Sequence, residues 1–372
     1  MHILVIFTYN TSLIHWRDSG LLDRELKIYR KLRDNFDIEF TFLTFGDIQD
    51  EQLVNDFKII PFYKFNKKYK YNFLNIINSL FFSFKLKKLE VFPNLIKTNQ
   101  LMGSWIGIVG KFLFKCPLLI RTGYDIFRFS IYDKKSFLKR FLYYVLTQIS
   151  LIFCDIYVVT SKSDKIFLNK HFLNFNKIKI LSNWVDTENI SENINIINPS
   201  SNSILSVGRL ESQKNFSELI KHFSMTDFKI DVVGSGSEKN NLSILAKELN
   251  VNLNFIGQLN NKELNELYKK YKFYITTSNY EGNSKSILEA KAAGCLVIAK
   301  ENDNIADVIT NNIDGIIFCN DNLKHIVDEL NNDIEKSKFI SHNAQNNVTK
   351  YNSLETIYKE EFNLYQKALK SN

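Results

Sequence analysis

The chain has 372 residues, 45% hydrophobic and 24% charged, with a net charge of +8, a composition that suits a soluble globular protein of about two domains. Its four cysteines, Cys116, Cys154, Cys295 and Cys319, are scattered without a CxxC pair, and its six histidines show no ligand spacing. This excludes a disulfide framework and a zinc site and fits a reducing cytoplasm.

The opening run MHILVIFTYN lacks a basic leader and a cleavage site, and reads as a first buried strand rather than a signal peptide. In HWRDSGLLDRELKIYRKL, Arg24 and Glu25 open a helix over about Asp23–Asn35. Its Leu22, Leu26, Tyr29 and Leu32 face a sheet, and Gly20 just before it lets a backbone approach a ligand's phosphates. IEFTFLTF is the next strand.

Residues 51–150 carry 17 Lys+Arg against 5 Asp+Glu, a basic excess that suggests an anionic partner. Within them, FYKFNKKYKYNFLNIINSLFFSFKLKKL (residues 62–89) interleaves Lys with apolar side chains. It fits an amphipathic surface lying on anionic lipid, an ordinary core helix with a solvated charged face, or a nucleic-acid patch, although no nucleic-acid motif accompanies it. The strand CPLLIRT follows. Phe141–Cys154, the longest uncharged apolar stretch, falls short of the about 20 residues a membrane span needs. It reads as a buried helix leading into DIYVVT.

After KIKILSN comes an Asn- and Ser-rich segment without period, about residues 186–202, the expected linker. It separates residues 1–195 from residues 196–372. NSILSVG, FKIDVVG, LNFIG, KFYITTS, CLVIA and GIIF then alternate with helical spacings. The expected class is α/β, with two Rossmann-like doubly wound domains facing across a cleft. Ligands of such domains bind beyond the C-terminal strand ends.

Three constellations in the second half carry chemistry. SILSVGRLESQKNF ends a strand at Gly208 and places Arg209 and Lys214 in the loop beyond. A diphosphate leaving group needs its developing charge neutralised, by Mg2+ or by an Arg/Lys clamp. No Asp-x-Asp metal device occurs in the chain, which favours the clamp over two unrelated surface cations. KIDVVGSGSEKNNL has Gly234 and Gly236 but Lys239 where a dinucleotide fingerprint has its third glycine, so a tight turn is expected. YEGNSKSILEAKAAG sets Glu281 and Glu289 eight residues apart across a strand–loop–helix junction. Ser284 is a candidate N-cap and Gly294 a stop, which leaves the amides of Lys285 and Ser286 to attract phosphate. Glu281 then reaches a ligand and Glu289 accepts from a ribose diol. The alternative is a solvated Glu281 with Glu289 paired to Lys285 at i, i+4.

Together these blocks resemble the GT-B retaining glycosyltransferases of family 4, often called group 1. VGRLESQKN is similar to that family's diphosphate-binding segment, VVGSGSEKNNL and NFIGQLNNKELNELY to its next two blocks, and YEGNSKSILEAKAAGCLVIA to its E-x7-E motif. LSNWVDT resembles the segment that closes the first domain, and WRDSGLLDREL a subgroup that builds bacterial surface polysaccharides. The resemblance implies that Arg209 and Lys214 hold the donor diphosphate and that Glu289 binds the donor ribose. Glu281 orients the transferred sugar, Asn283, Ser284, Lys285 and Ser286 offer amides, and Gly208 and Gly20 border the donor. It also implies retention of anomeric configuration with no metal and no cofactor beyond the nucleotide-diphosphate sugar, the leaving phosphate accepting the acceptor's proton.

The resemblance departs at IRTGYDIF, where Gly123 and Tyr124 stand in place of a sugar-contacting histidine and Asp125 keeps the acidic position. Ser284 stands where many relatives have proline. The implied partners are a nucleotide sugar and a glycan or lipid-linked acceptor bound by residues 1–195, without nucleic acid. The implied setting is cell-surface polysaccharide or lipopolysaccharide synthesis, in the cytoplasm or on the inner face of the plasma membrane through residues 62–89. A C-terminal helix over about 354–369 is expected to pack back on the first domain. Two other readings fit the same frame: a sugar-nucleotide 2-epimerase, for which no acid/base pair is identifiable, and a non-catalytic nucleotide-sugar-binding protein at the membrane.

Overall fold

A computed structural model describes residues 1–187, 202–319 and 322–370. Most of the expected linker, residues 188–201, lies outside the described residues. The chain divides into two compact units, one of Met1–Leu181 with Tyr358–Asn372 and one of Ser182–Ile357. The division precedes the LSNWVDT block's Ser182, so all but the first residue of that block belongs to the second unit rather than closing the first.

The first unit holds strands β1 (His2–Ile6), β2 (Glu39–Thr44), β3 (Lys58–Pro61), β4 (Leu95–Thr98), β5 (Leu118–Arg121), β6 (Ile156–Val159) and β7 (Ile178–Ile180). They form a parallel sheet in the order β3-β2-β1-β4-β5-β6-β7. The second unit holds β8 (Ser203–Val207), β9 (Lys229–Val233), β10 (Asn252–Gly257), β11 (Phe273–Thr276), β12 (Leu296–Lys300) and β13 (Ile316–Phe318), in the order β10-β9-β8-β11-β12-β13. In each sheet the winding direction reverses once, beside β1 and beside β8. Helices cover both faces, which is why the strands read as continuous apolar runs: Ile3, Leu4, Val5 and Ile6 are all buried.

Leu22–Phe36 is helical and buries Leu26, Ile28, Tyr29 and Leu32. Tyr29 meets Phe40 and Phe42 edge-on at 5.2 and 5.0 Å. Against the same sheet lies the C-terminal helix Leu354–Lys370, whose Phe362 stacks on Phe36 at 3.7 Å. Beneath it Lys97 of β4 is bonded to Glu361, both 2% exposed, and Glu361 also accepts from the Tyr365 hydroxyl at 2.6 Å. Arg121 lies 3.5 Å from the second oxygen of Glu361.

The apolar helix that the sequence suggests is buried proves otherwise. Phe137–Phe153 is a helix that buries Thr147, Ser150 and Leu151 and exposes Phe137, Leu138, Phe141 and Leu142. Ser150 faces the helix Ser104–Phe114 through a 2.9 Å contact with the Ser104 hydroxyl. Small polar residues allow close helix approach there, so the bulky ones turn outward. Residues 62–89 are mixed. The helix Asn72–Leu80 buries Asn75 and Ser79 and exposes Phe73 and Ile77, and Phe81 after it is exposed too. The helix Phe82–Lys88 buries Phe82, Ser83 and Leu86 against the core of the first unit and exposes Lys85, Lys87 and Lys88, as a core helix with a solvated charged face does, although Phe84 is exposed beside them. Among the described residues no helix is long and apolar enough to cross a membrane.

Candidate functional site

The second unit gathers its candidate residues in the loops beyond the C-terminal ends of β8 and β11, neighbours in the sheet. Gly208 follows β8 directly, and its amide donates to Val233 O at 3.0 Å. A Cβ at Gly208 would lie 3.0–3.3 Å from the aliphatic carbons of Lys214; the glycine thus makes room for that side chain to cross over it. Lys214 ends a single tight turn, Ser212–Lys214, followed by Asn215 in the left-handed conformation. Its ammonium is bonded to the Glu281 carboxylate. Their side chains are 13% and 10% exposed, so the pair stands at the edge of solvent, where an incoming anion can reach it.

Glu281 lies in the loop between β11 and the helix Lys285–Ala292, and its carbonyl accepts from the buried Asn304 amide at 2.8 Å. Gln213 joins the two loops: its Nε2 donates to Tyr280 O at 2.9 Å, and its own carbonyl accepts from Asn279 N at 3.0 Å. Arg209 is exposed, with Nη2 donating to Gln213 Oε1 at 3.3 Å. The structure therefore brings Gly208, Lys214 and Glu281 into one contact set and leaves Arg209 at its rim.

Asn283 is held from the LSNWVDT block. Its Oδ1 accepts from Asn183 N at 2.9 Å, and its carbonyl accepts from Asn183 Nδ2 at 2.6 Å. Next to it Lys285 places its ammonium 5.3 Å from the centre of the Trp184 ring. Ser284 is the N-cap residue by backbone conformation, but its side chain makes no cap bond; it pairs with the Ser286 hydroxyl at 3.1 Å. Ser286 also accepts from the Tyr274 hydroxyl at 2.8 Å. Burial raises the Tyr274 pKa, and the Glu281 and Glu289 carboxylates push the same way. Glu289 is 8% exposed and accepts from Asn261 Nδ2 at 3.3 Å and the Tyr268 hydroxyl at 3.5 Å. It is therefore not a solvated helix carboxylate.

On the helix's inner side Lys291, fully buried, donates to Val308 O at 2.8 Å and Asp314 at 3.0 Å, and anchors the helix. Gly234, at φ +142°, supports the β8 loop from behind. A Cβ there would fall 1.9 Å from Gly208 O, so only glycine fits this tight turn.

Sequence reasoning overlooked Gln213, Asn183, Trp184, Asn304 and Lys291. All but Asn304 stood in blocks already singled out: Asn183 and Trp184 in LSNWVDT, Gln213 in SILSVGRLESQKNF and Lys291 in YEGNSKSILEAKAAG. The residues themselves carried no local signal, because most of their partners lie far away in sequence.

Two candidates lie in the first unit. Gly20, at φ +68°, joins the helices Leu13–Asp18 and Leu22–Phe36. Asp125 caps the helix Ile126–Tyr132, accepting from Arg128 N at 2.6 Å, and burial pushes its pKa up to about 7, helped by repulsion from Asp164. Gly123 N donates to Gln100 Oε1 at 2.8 Å, and a Cβ at Gly123 would meet Gln100 Nε2 at 2.9 Å. Among the described residues no three His, Cys, Asp or Glu side chains gather as metal ligands.

Residues 187–352 match the family model described as Glycosyl transferases group 1. An alpha-1,4-N-acetyl-D-galactosaminyltransferase of Campylobacter jejuni is 25% identical over 249 residues, 64% of each chain. A second enzyme of that organism, N-acetylgalactosamine-N,N'-diacetylbacillosaminyl-diphospho-undecaprenol 4-alpha-N-acetylgalactosaminyltransferase, is 33% identical over 161 residues, 41% of this chain and 44% of its own. The chain thus spans less than two thirds of the length of these curated relatives. The crystal structure of Anabaena HepE in complex with UDP-glucose matches with a TM-score of 0.77 at 15% identity, covering 99% of this chain and 100% of that one. The fold is GT-B, two Rossmann-like α/β units.

Proposed function

We infer, from the match of residues 187–352 to the family model described as Glycosyl transferases group 1, that the chain moves a sugar from a nucleotide-diphosphate donor onto a glycan or lipid-linked acceptor. The proposed setting is cell-surface polysaccharide or lipopolysaccharide synthesis on the inner face of the plasma membrane. The observation that carries the reading is the Lys214–Glu281 pair beyond β8 and β11, ahead of the helix that bears Glu289.

In this reading Lys214 and Arg209 take the donor diphosphate, and the amides of Asn283, Ser284, Lys285 and Ser286 at the helix start add partial positive charge. Gly208 borders the donor, Glu289 accepts from its ribose, and Glu281 orients the sugar. The bond from the sugar's anomeric carbon to the phosphate oxygen breaks. The acceptor oxygen bonds to that carbon on the same face, and its proton passes to the leaving phosphate. The nucleoside diphosphate departs with configuration retained. Two cations and a helix terminus supply the charge that a divalent ion supplies elsewhere, so the proposed reaction needs neither metal nor cofactor.

The test is a panel of nucleotide sugars, UDP-sugars first because the HepE structure holds UDP-glucose, scored by thermal stabilisation and then by transfer with EDTA present. A donor that stabilises the protein and is consumed only with acceptor supports transfer. An epimerised donor in the absence of acceptor, or no stabilisation by any donor, defeats it.

A further inference from the structure

The helix Phe137–Phe153 turns its apolar side away from the first unit, and the donor chemistry does not use that side. Thr147, Ser150, Leu151 and, just past the helix end, Cys154 are buried. Along the other side runs a row of Leu138, Leu142, Val145, Ile149 and Ile152, spaced by four, three, four and three residues. A repeat of about 3.5 residues holds one seam toward a second helix over several turns. Leu138 is 65%, Leu142 55%, and Ile149 and Ile152 each 39% exposed, so the seam lies open.

Aromatic rings widen the row. Phe141 stacks on Phe137 at 6.4 Å, and Phe153 meets Phe112 of the helix Ser104–Phe114 edge-on at 5.7 Å. All four rings are exposed. Row and rings together leave roughly 800 Å² of apolar surface, above the about 300–600 Å² of the largest patch on a typical monomer and close to what each partner gives a standard-size interface. No charged residue lies between Phe141 and Cys154, as in the core of an interface. The polar groups beside the row are satisfied within the chain. Gln148 Nε2 donates to Leu173 O at 2.9 Å, and its Oε1 accepts from Leu173 N at 3.1 Å. Lys177 Nζ donates to Ile152 O at 2.6 Å, so this carbonyl at the helix end needs no outside donor. Lys139 and Lys177 thus stand at the two ends of the row and leave its length neutral. A surface that fits it is neutral too, and ridged at the same interval.

We propose that this face joins two copies of the chain about a two-fold axis near Val145, the middle of the row, with the row of one copy packed on the row of the other. A second copy presents the same neutral seam at the same spacing and over the same length, so neither side buries a charge without a counter-charge. Its area matches by construction, and a face that meets itself closes as a dimer instead of continuing as a fibre. The assignment is independent of the transferase reading.

Sedimentation velocity of the full chain in detergent-free buffer at micromolar concentration is expected to show a species of twice the 43.6 kDa chain mass. Leu142→Glu with Ile149→Glu sets like charges against each other across the axis and should weaken association by about a hundredfold or more. Both side chains are exposed in a single copy, so a native-like circular dichroism spectrum and a cooperative unfolding transition are expected to show that the variant folds. Val145→Cys in a Cys319→Ser background, which removes the exposed native thiol, should oxidise to a covalent dimer. Phe73→Glu with Phe81→Glu, at exposed apolar positions elsewhere in the first unit, should leave the dimer intact. A monomer at every concentration, a dimer that survives the Leu142 and Ile149 substitutions or is broken by those at Phe73 and Phe81, or a failure to cross-link overturns the proposal. So does a monomer that binds anionic liposomes through Leu142 and Ile149, which makes this a membrane face.

Discussion

The Lys214 ammonium and the Glu281 carboxylate are bonded to each other although 67 positions separate them in sequence. Without ligand the pair is neutral and little exposed, so the cation is held in place without a naked buried charge. In the proposed reaction the donor diphosphate competes with Glu281 for the same ammonium and displaces the carboxylate toward the sugar. This exchange gives each residue a separable role.

Replacing Lys214→Ala removes the cation that, in the proposed reaction, meets the departing phosphate. A transition-state contact of this kind is worth about 10²- to 10³-fold in kcat, and a loss of that size is expected in steady-state transfer assays at saturating donor. The unfolding midpoint should move by only a few degrees, because the side chain lies at the edge of solvent. Full activity in this variant would refute the clamp.

Glu281→Gln separates binding from chemistry. Glutamine leaves Lys214 without a competing carboxylate, so UDP alone is expected to bind several-fold more tightly by calorimetry. Transfer should fall, since the sugar loses an orienting acceptor. Weaker UDP binding in this variant would show that Glu281 supports the cation rather than competing with the ligand.

The Lys97–Glu361 pair beneath the C-terminal helix is almost fully buried, and burial lowers the Lys97 pKa despite the attached carboxylate. Glu361→Gln leaves the buried Lys97 ammonium without its counter-charge, which costs about 3–5 kcal/mol. Urea unfolding at neutral pH measures it. Lys97→Met combined with Glu361→Leu removes both charges and is expected to recover most of that loss.

Asp125 gives the first unit a pH dependence. Its folded pKa of about 7 stands above the about 3.9 of an unfolded aspartate. Between these values the native chain holds a proton that the unfolded chain has released, so stability falls as pH rises from about 4 to about 7. The shift corresponds to at most about 4 kcal/mol. Asparagine keeps the cap bond to Arg128 N and cannot titrate. Asp125→Asn should therefore gain stability relative to the wild type across this window, read from unfolding midpoints at several pH values. A constant difference between the two proteins would contradict the burial argument.

What the sequence alone determined is what repeats locally. Runs such as Ile3–Ile6 carry their own β signal, and the alternation of strands with helical spacings gave two doubly wound units. Glu281, Ser284 and Glu289 were legible because one loop and one helix fix their spacing. Tertiary structure decided everything that depends on which strands are neighbours. Lys214 meets Glu281 because β8 pairs with β11, and Lys97 meets Glu361 across 264 positions because the C-terminal helix returns to the first sheet. It also decided which face of an apolar helix turns inward: in Phe137–Phe153 the inward residues are Thr147 and Ser150. Period and composition specify that such a helix has two faces. Only the surface it packs against, here the small residues around Ser104, selects the one that is buried.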